Sequence, residues 1–211
     1  MLGITRTDII NDDLGALTDV PRKLGRGAGL KLNDIFWTAF LDNAAFFAAG
    51  NFNVSTDTGE LGLVGLEEAE TVFMNQTDPD GNPLGIEPAI LLVPTALKTT
   101  ARQLMTSDKI KGSTDEPEVN PWQGRFRTES SPYMSNANYT GNSESAWYLL
   151  ADPRDMPVIE IAALDGKIEP TVETAEADFD TLGVQMRGYS DVGVNKQEPR
   201  GGVRADGSAA D

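Results

Sequence analysis

Apolar or small residues recur at Ile10, Leu14, Leu17, Pro21, Leu24, Ala28, Leu32, Ile35 and Ala39. From the first to the last of these nine positions the chain advances 29 residues in eight steps, a mean spacing of about 3.6, the turn of an α-helix. Within the stretch Ile9–Phe47 the periodic positions Ile10–Ala39 therefore predict a rod of roughly 45 Å, longer than a globular core of this size needs. Thr7 or Asp8 can cap its start, and Asp12 and Asp13 would face the positive end of the helix dipole. Pro21 lacks an N–H and crowds the preceding turn, which predicts a kink or a restart there. Gly25, Gly27 and Gly29 follow, each costing a helix about 1 kcal/mol relative to Ala. Three glycines so close together predict the near approach of another backbone. Ile35, Phe36, Trp37, Phe40, Phe46 and Phe47 then supply an apolar anchor.

What the chain lacks narrows its chemistry. Among 211 residues there is no cysteine and no histidine. Disulfides, thiolate nucleophiles and Cys-based zinc sites are excluded, along with the commonest general base and transition-metal ligand. The net charge is −16, from 17 basic and 33 acidic residues. Such a surface repels nucleic-acid phosphates, so no specific nucleic-acid binding is expected. No apolar run reaches the ~18 residues of a membrane span, so no membrane partner is expected. Mean hydropathy of −0.30 with 39% hydrophobic residues predicts a folded, soluble chain. The first fifty residues are near neutral, because Arg22, Lys23, Arg26 and Lys31 gather on the long helix. The plain account of that cluster is a solvated face; the sharper one is contact with acidic surfaces on a neighbouring copy.

Beyond the helix, Asn51–Gly62 reads as a loop or small hairpin and Leu66–Gln76 as a second helix with Leu66, Ala69, Val72 and Phe73 inward. Ala89–Val93 is a continuous apolar run, the pattern of a buried strand. Pro94 then opens a helix over Thr95–Met105. Ser107–Asn120 is polar, without periodicity, and reads as a flexible loop. Strands are predicted around Gly124–Glu129, Trp147–Leu150, Val158–Leu164, Ile168–Glu173 and Asp180–Asp191. Asp165-Gly166 marks a hairpin joining the third and fourth of these. The tail from Glu198 is expected to fray. The fold class is α+β.

Motifs for chemistry fail on inspection. Asp78, Asp80 and Asn82 open like an EF-hand loop, but Pro83 stands at the glycine position and Ala89 at the bidentate acid. Gly25-Arg26-Gly27-Ala28-Gly29 has no preceding strand, and Leu30 breaks the dinucleotide pattern. Ser130, Ser131 and Ser145 have no histidine to activate them, leaving only Lys98 or Lys167 as bases. The expectation is a non-enzyme without cofactor or metal.

Several long phrases carry a resemblance: DIINDDLGALTDVPRKLGRGAGLKLND, FMNQTDPDGNPLGIEPAILLVP, SSPYMSN, AWYLLADPRDMPVIEIAALDGKIEPTVET and LGVQMRGYSDVGVNKQEPRGG. In these the chain resembles the major head subunit of Mu-like tailed phages and prophages. The resemblance implies a Hong Kong 97-type capsid fold with a long spine helix, a peripheral domain and an axial domain. It places the spine and part of the peripheral domain in residues 1–65, mainly the axial domain in 66–155, and returning strands of both sheets in 156–211. It implies a structural protein of the virion, assembled in the host cytoplasm from hexameric and pentameric capsomers, with a scaffold or prohead protease and a portal as partners. Arg22, Lys23, Gly25, Arg26, Gly27, Gly29 and Lys31 are the candidate subunit-contact or close-packing residues. The chain begins about eight residues before the helix. On this reading the family's N-terminal arm and extended loop are missing, and mainly monomers or small rings are expected. The alternatives are an encapsulin-like compartment subunit or a soluble hydrolase domain linked to a prohead protease.

Overall fold

A computed structural model describes residues 2–5, 7, 10–11, 16–55, 59–111, 117–176 and 183–207. In chain order the elements begin with strand β1 (Leu2–Thr5), helix α1 (Ala16–Leu41), strand β2 (Val54–Ser55) and helix α2 (Leu63–Met74). Strand β3 (Pro88–Pro94), helix α3 (Lys98–Thr106) and strands β4 (Lys109–Lys111), β5 (Pro117–Val119), β6 (Arg127–Ser131) and β7 (Trp147–Ala151) follow. Strands β8 (Ile159–Ala163), β9 (Thr171–Glu176), β10 (Gly183–Tyr189), β11 (Val192–Lys196) and β12 (Gly202–Ala205) complete the chain. The chain divides into two compact units, one from residues 1–36 and 161–194, the other from 37–160 and 195–211. The segments 1–65 and 156–211 therefore each contribute to both units, whereas 66–155 lies wholly in the second.

In the first unit, β1, β10 and β9 form an antiparallel sheet with β10 in the middle. Helix α1 turns Pro21, Leu24, Ala28, Leu32 and Ile35 to its half-buried side, the side set by the sequence period. Leu24 lies over Gly188 of β10, its Cβ 3.9 Å from where a glycine side chain would begin. The helix does not restart at Pro21: it is one element of 26 residues from Ala16 to Leu41. The proline removes the single N–H that would bond to Leu17, and the rest of the ladder outlasts that loss. Thr7 is already helical, its carbonyl accepting from Asn11 N at 3.0 Å, so it is not the cap. Asp8, Asp12 and Asp13 lie outside the described residues.

In the second unit, a five-stranded sheet has the order β2-β12-β7-β3-β6. Strand β3 lies between β7 and β6 with Leu91 and Val93 fully buried and Ile90 and Leu92 nearly so, which accounts for its unbroken apolar run. One face of the sheet packs Leu91, Val93, Trp147, Leu149 and Val203 with Leu66, Ala69 and Phe73 of α2 and Ala101 and Leu104 of α3. The indole Nε1 of Trp147 donates to Gly59 O at 2.8 Å, so its burial leaves no orphan donor. Alternation sends Ile90, Leu92 and Tyr148 to the other face. There Phe40 and Phe47 meet Tyr148, with ring centroids 5.1 and 5.2 Å apart, and Asn43 Nδ2 donates to the Tyr148 hydroxyl at 3.1 Å. Burial pushes the Tyr148 phenol above its ordinary range.

Four further expectations change. Helix α1 ends at Leu41, and 42–47 is a turn in which Phe46 and Phe47 N donate to Asn43 O. Asp165-Gly166 does not close a hairpin: β8 pairs with β11 and β9 with β10, although Asp165 (φ 54°) and Gly166 (φ 69°) do make a left-handed turn. The polar segment after α3 is not all loop, since β4 and β5 pair antiparallel with Lys109 opposite Val119; residues 112–116 lie outside the described set. The tail does not fray up to Gly207. Its strand β12 runs between β2 and β7, with Gly201, Gly202, Val203 and Ala205 buried.

Gly141 sits at φ 80°, and a Cβ there would run into the carbonyl oxygen of Leu41 at the end of α1. Replacing Gly141 with Ala combines left-handed strain with overpacking and should cost about 2 kcal/mol or more in urea unfolding. An unchanged midpoint would show that this turn does not press on the helix end.

Candidate functional site

The sequence-derived candidates all lie on α1, and at 100° per residue they divide into two faces. Lys23, Gly27 and Lys31 border a groove whose floor includes Leu24, Ala28 and Gly188. Arg22 and Arg26 lie on the opposite side, exposed together with Leu30 and Asn33. Gly29, exposed, and Gly25, half-buried, flank that second face. Lys31 Nζ pairs with Asp34 Oδ2 at 2.6 Å. A surface pair of this kind contributes little to stability. Nothing within 4 Å would meet a Cβ added at Gly25, Gly27 or Gly29. Among the described residues, the chain itself therefore does not supply the close neighbour expected at these glycines.

On the sheet of the first unit, Arg187 of β10 stands opposite Glu173 of β9. Its Nη2 is 2.6 Å from Glu173 Oε2, and the Tyr189 hydroxyl donates to Glu173 Oε1 at 3.2 Å. The Arg187 hydrogen bond and charge hold the Glu173 carboxyl below the usual carboxylate range. These are exposed groups.

The residues weighed for chemistry are used in turns. Asp78 accepts from the backbone N–H of Asp80 and Asn82 at 2.9 and 2.8 Å and from Asn82 Nδ2 at 2.9 Å. The Asn82 side chain, chiefly, lowers its carboxyl below the ordinary range. All of these bonds close the turn. Ser131 Oγ accepts from Tyr133 N, Ser145 Oγ donates to Asp206 O, and Lys167 Nζ donates to Thr171 Oγ1. No helix among the described residues is long and apolar enough to cross a membrane.

One feature had only a faint sequence signal, an aromatic residue between two asparagines. Phe52 is 77% exposed with φ 54° and ψ 33°, a left-handed conformation that bulky residues seldom adopt. Three amides hold the loop in place. Asn51 Nδ2 donates to Phe46 O at 2.8 Å, and Gln76 Nε2 donates to Phe52 O. Asn53, fully buried, donates through Nδ2 to Phe46 O and Pro199 O and accepts from Ala48 N.

The open space at Gly25 and Gly29 yields a test. Gly25→Ala and Gly29→Ala should each raise the stability of the isolated chain by roughly 0.5–1 kcal/mol, read from thermal unfolding. A loss of stability would place an unseen neighbour from the chain's own fold against the helix.

Comparison with known proteins gives a consistent result. A family profile described as phage capsid protein matches residues 1–205. A solved chain from Mycobacterium phage Che8 superposes with a TM-score of 0.51 at 14% identity, covering 96% of this chain and 67% of that one. At that identity the likeness concerns the fold alone. No curated protein matches the sequence. With nearly its whole length matched by that profile, the chain belongs to the phage capsid protein family, a family of structural proteins.

Proposed function

We propose that this phage capsid protein is the major head subunit of a Mu-like phage or prophage. It is built on the Hong Kong 97 plan and associates with its own copies into hexameric and pentameric capsomers that enclose DNA. Assembly takes place in the host cytoplasm, with a scaffold or prohead protease and a portal as partners. The observation that carries this reading is the 26-residue helix α1, which belongs to one compact unit up to Phe36 and to the other from Trp37. At about 1.5 Å per residue it is close to 40 Å long, the element expected of a spine shared by a peripheral and an axial domain. The first unit, with its small antiparallel sheet, takes the peripheral role and the second, with the five-stranded sheet, the axial role.

Physical chemistry agrees with a container. A net charge of −16 repels packaged DNA and leaves the shell wall free of tight phosphate contacts. The exposed residues Arg22, Lys23 and Arg26 are then available to the acidic surface of a neighbour, while Lys31 is already paired with Asp34. Gly25, Gly27 and Gly29 would let that neighbour approach the helix backbone.

Sedimentation velocity over a concentration series tests the reading. Ring-sized species of five or six subunits should grow with concentration at the expense of the monomer. A single monomeric species at the highest soluble concentration would contradict it.

A further inference from the structure

Helix α2 has a face that its own unit leaves uncovered. Gly65, Leu66, Ala69 and Phe73 turn inward, which puts Val64, Glu67, Thr71 and Met74 together on the outside. Val64 is 58% and Met74 41% exposed. Through Thr71 this face runs into a groove lined by Ala49, Phe52, Val54 and Val72. Phe52 is held outward there at a positive φ that costs backbone strain, the kind of outlier that accompanies function. Acidic groups outnumber basic ones around the face, and the two arginines near it are paired, Arg125 with Glu70 and Arg200, beside Phe52, with Glu198. Residues 32–97 include ten acidic and no basic side chains. On this face Glu67 is exposed, while Glu70 is held by Arg125, whose Nη2 lies 2.7 Å from its Oε1.

The same chain carries the complementary surface. The outer face of α1 presents Arg22 and Arg26, with Leu30 54% exposed one turn further on. Both surfaces combine charge with bare apolar side chains, and their signs are opposite. The geometry points to the outer face of α2, with the Phe52 groove, as the docking site for the Arg22–Arg26–Leu30 face of α1 in a second copy. Arg22 and Arg26 approach Glu67 and its acidic surroundings, and Leu30 covers the groove beside Phe52. Because the two surfaces differ, the contact is heterologous and repeats from copy to copy, as a ring requires. Opposite charges set its register and hasten encounter, and the apolar pair supplies the buried area.

This inference rests on the reading that the chain self-associates, and reciprocal charge reversal separates the two. One full-length variant carries Arg22→Glu and Arg26→Glu, and the other carries Glu67→Arg. All three positions are exposed, so circular dichroism and urea unfolding should match the parent. Each variant alone should need about tenfold more protein to associate, since like charges then face each other. In an equimolar mixture the two variants can alternate around a six-membered ring, where every contact again joins opposite charges, so hexamers should form at close to the parent concentration while five-membered rings stay suppressed. Leu30→Ser, which leaves the charges intact, should weaken association of the parent by itself. If the parent assembles and the variants assemble equally well, or the mixture recovers nothing, the docking site is wrong and the shell reading stands. If the parent never assembles, the shell reading fails and the docking site with it.

Discussion

The end of α1 is fixed by a buried aromatic cluster, and much of the second unit is arranged to accommodate it. Phe40, Phe47 and Tyr148 are each 2% exposed or less. Their rings lie edge-on or tilted, with centroids 5.1–6.3 Å apart, an arrangement that favours quadrupole contacts beyond area burial alone. Asn43 closes the cluster by satisfying the Tyr148 hydroxyl, which would otherwise be a costly buried polar group. Lys196, distant in sequence, donates to the carbonyls of Ala39 and Asp42 and so places a cation at the negative end of the helix. The last strand must pass close by. A Cβ at Gly202 would lie 3.1 Å from Phe47 Cε1, close enough that the ring would have to shift by a few tenths of an ångström.

These contacts separate what local pattern could reveal from what it could not. The α1 period, the inward face of α2 and the buried run of β3 were legible because each is written in spacing over a few turns or a few residues. The anchor role of Phe40 and Phe47 followed from apolar density alone. Strand partners were not legible. Asp165-Gly166 makes the left-handed turn that its residues favour, yet β8 takes β11 as partner, a choice made by distant sequence. The segment Gly201–Ala205 reads as tail because glycines lower strand propensity. Packing calls for the first of them: a Cβ at Gly201 would stand 2.7 Å from Met156 O. The cation that caps α1 could not be found by looking in the helix, since its last turn has no basic residue.

The same limit applies to the surface. Arg22, Lys23, Arg26 and Lys31 were visible as a cluster because they are neighbours in sequence. Which of them share a face, and what kind of surface could receive them, depends on helix rotation and on Phe52, whose exposure comes from three amide side chains spread over residues 51–76. On the proposed function the protein acts through contacts between copies, and its chemistry then lies in shape and charge over broad faces.

Electron microscopy of the concentrated chain tests the central claim most directly, because it images the association that the account requires. Rings of five or six subunits are expected to grow with concentration, with α1 of each copy lying against a neighbour. Fields of dispersed single particles at every concentration, or paired particles related by a twofold axis, would contradict it.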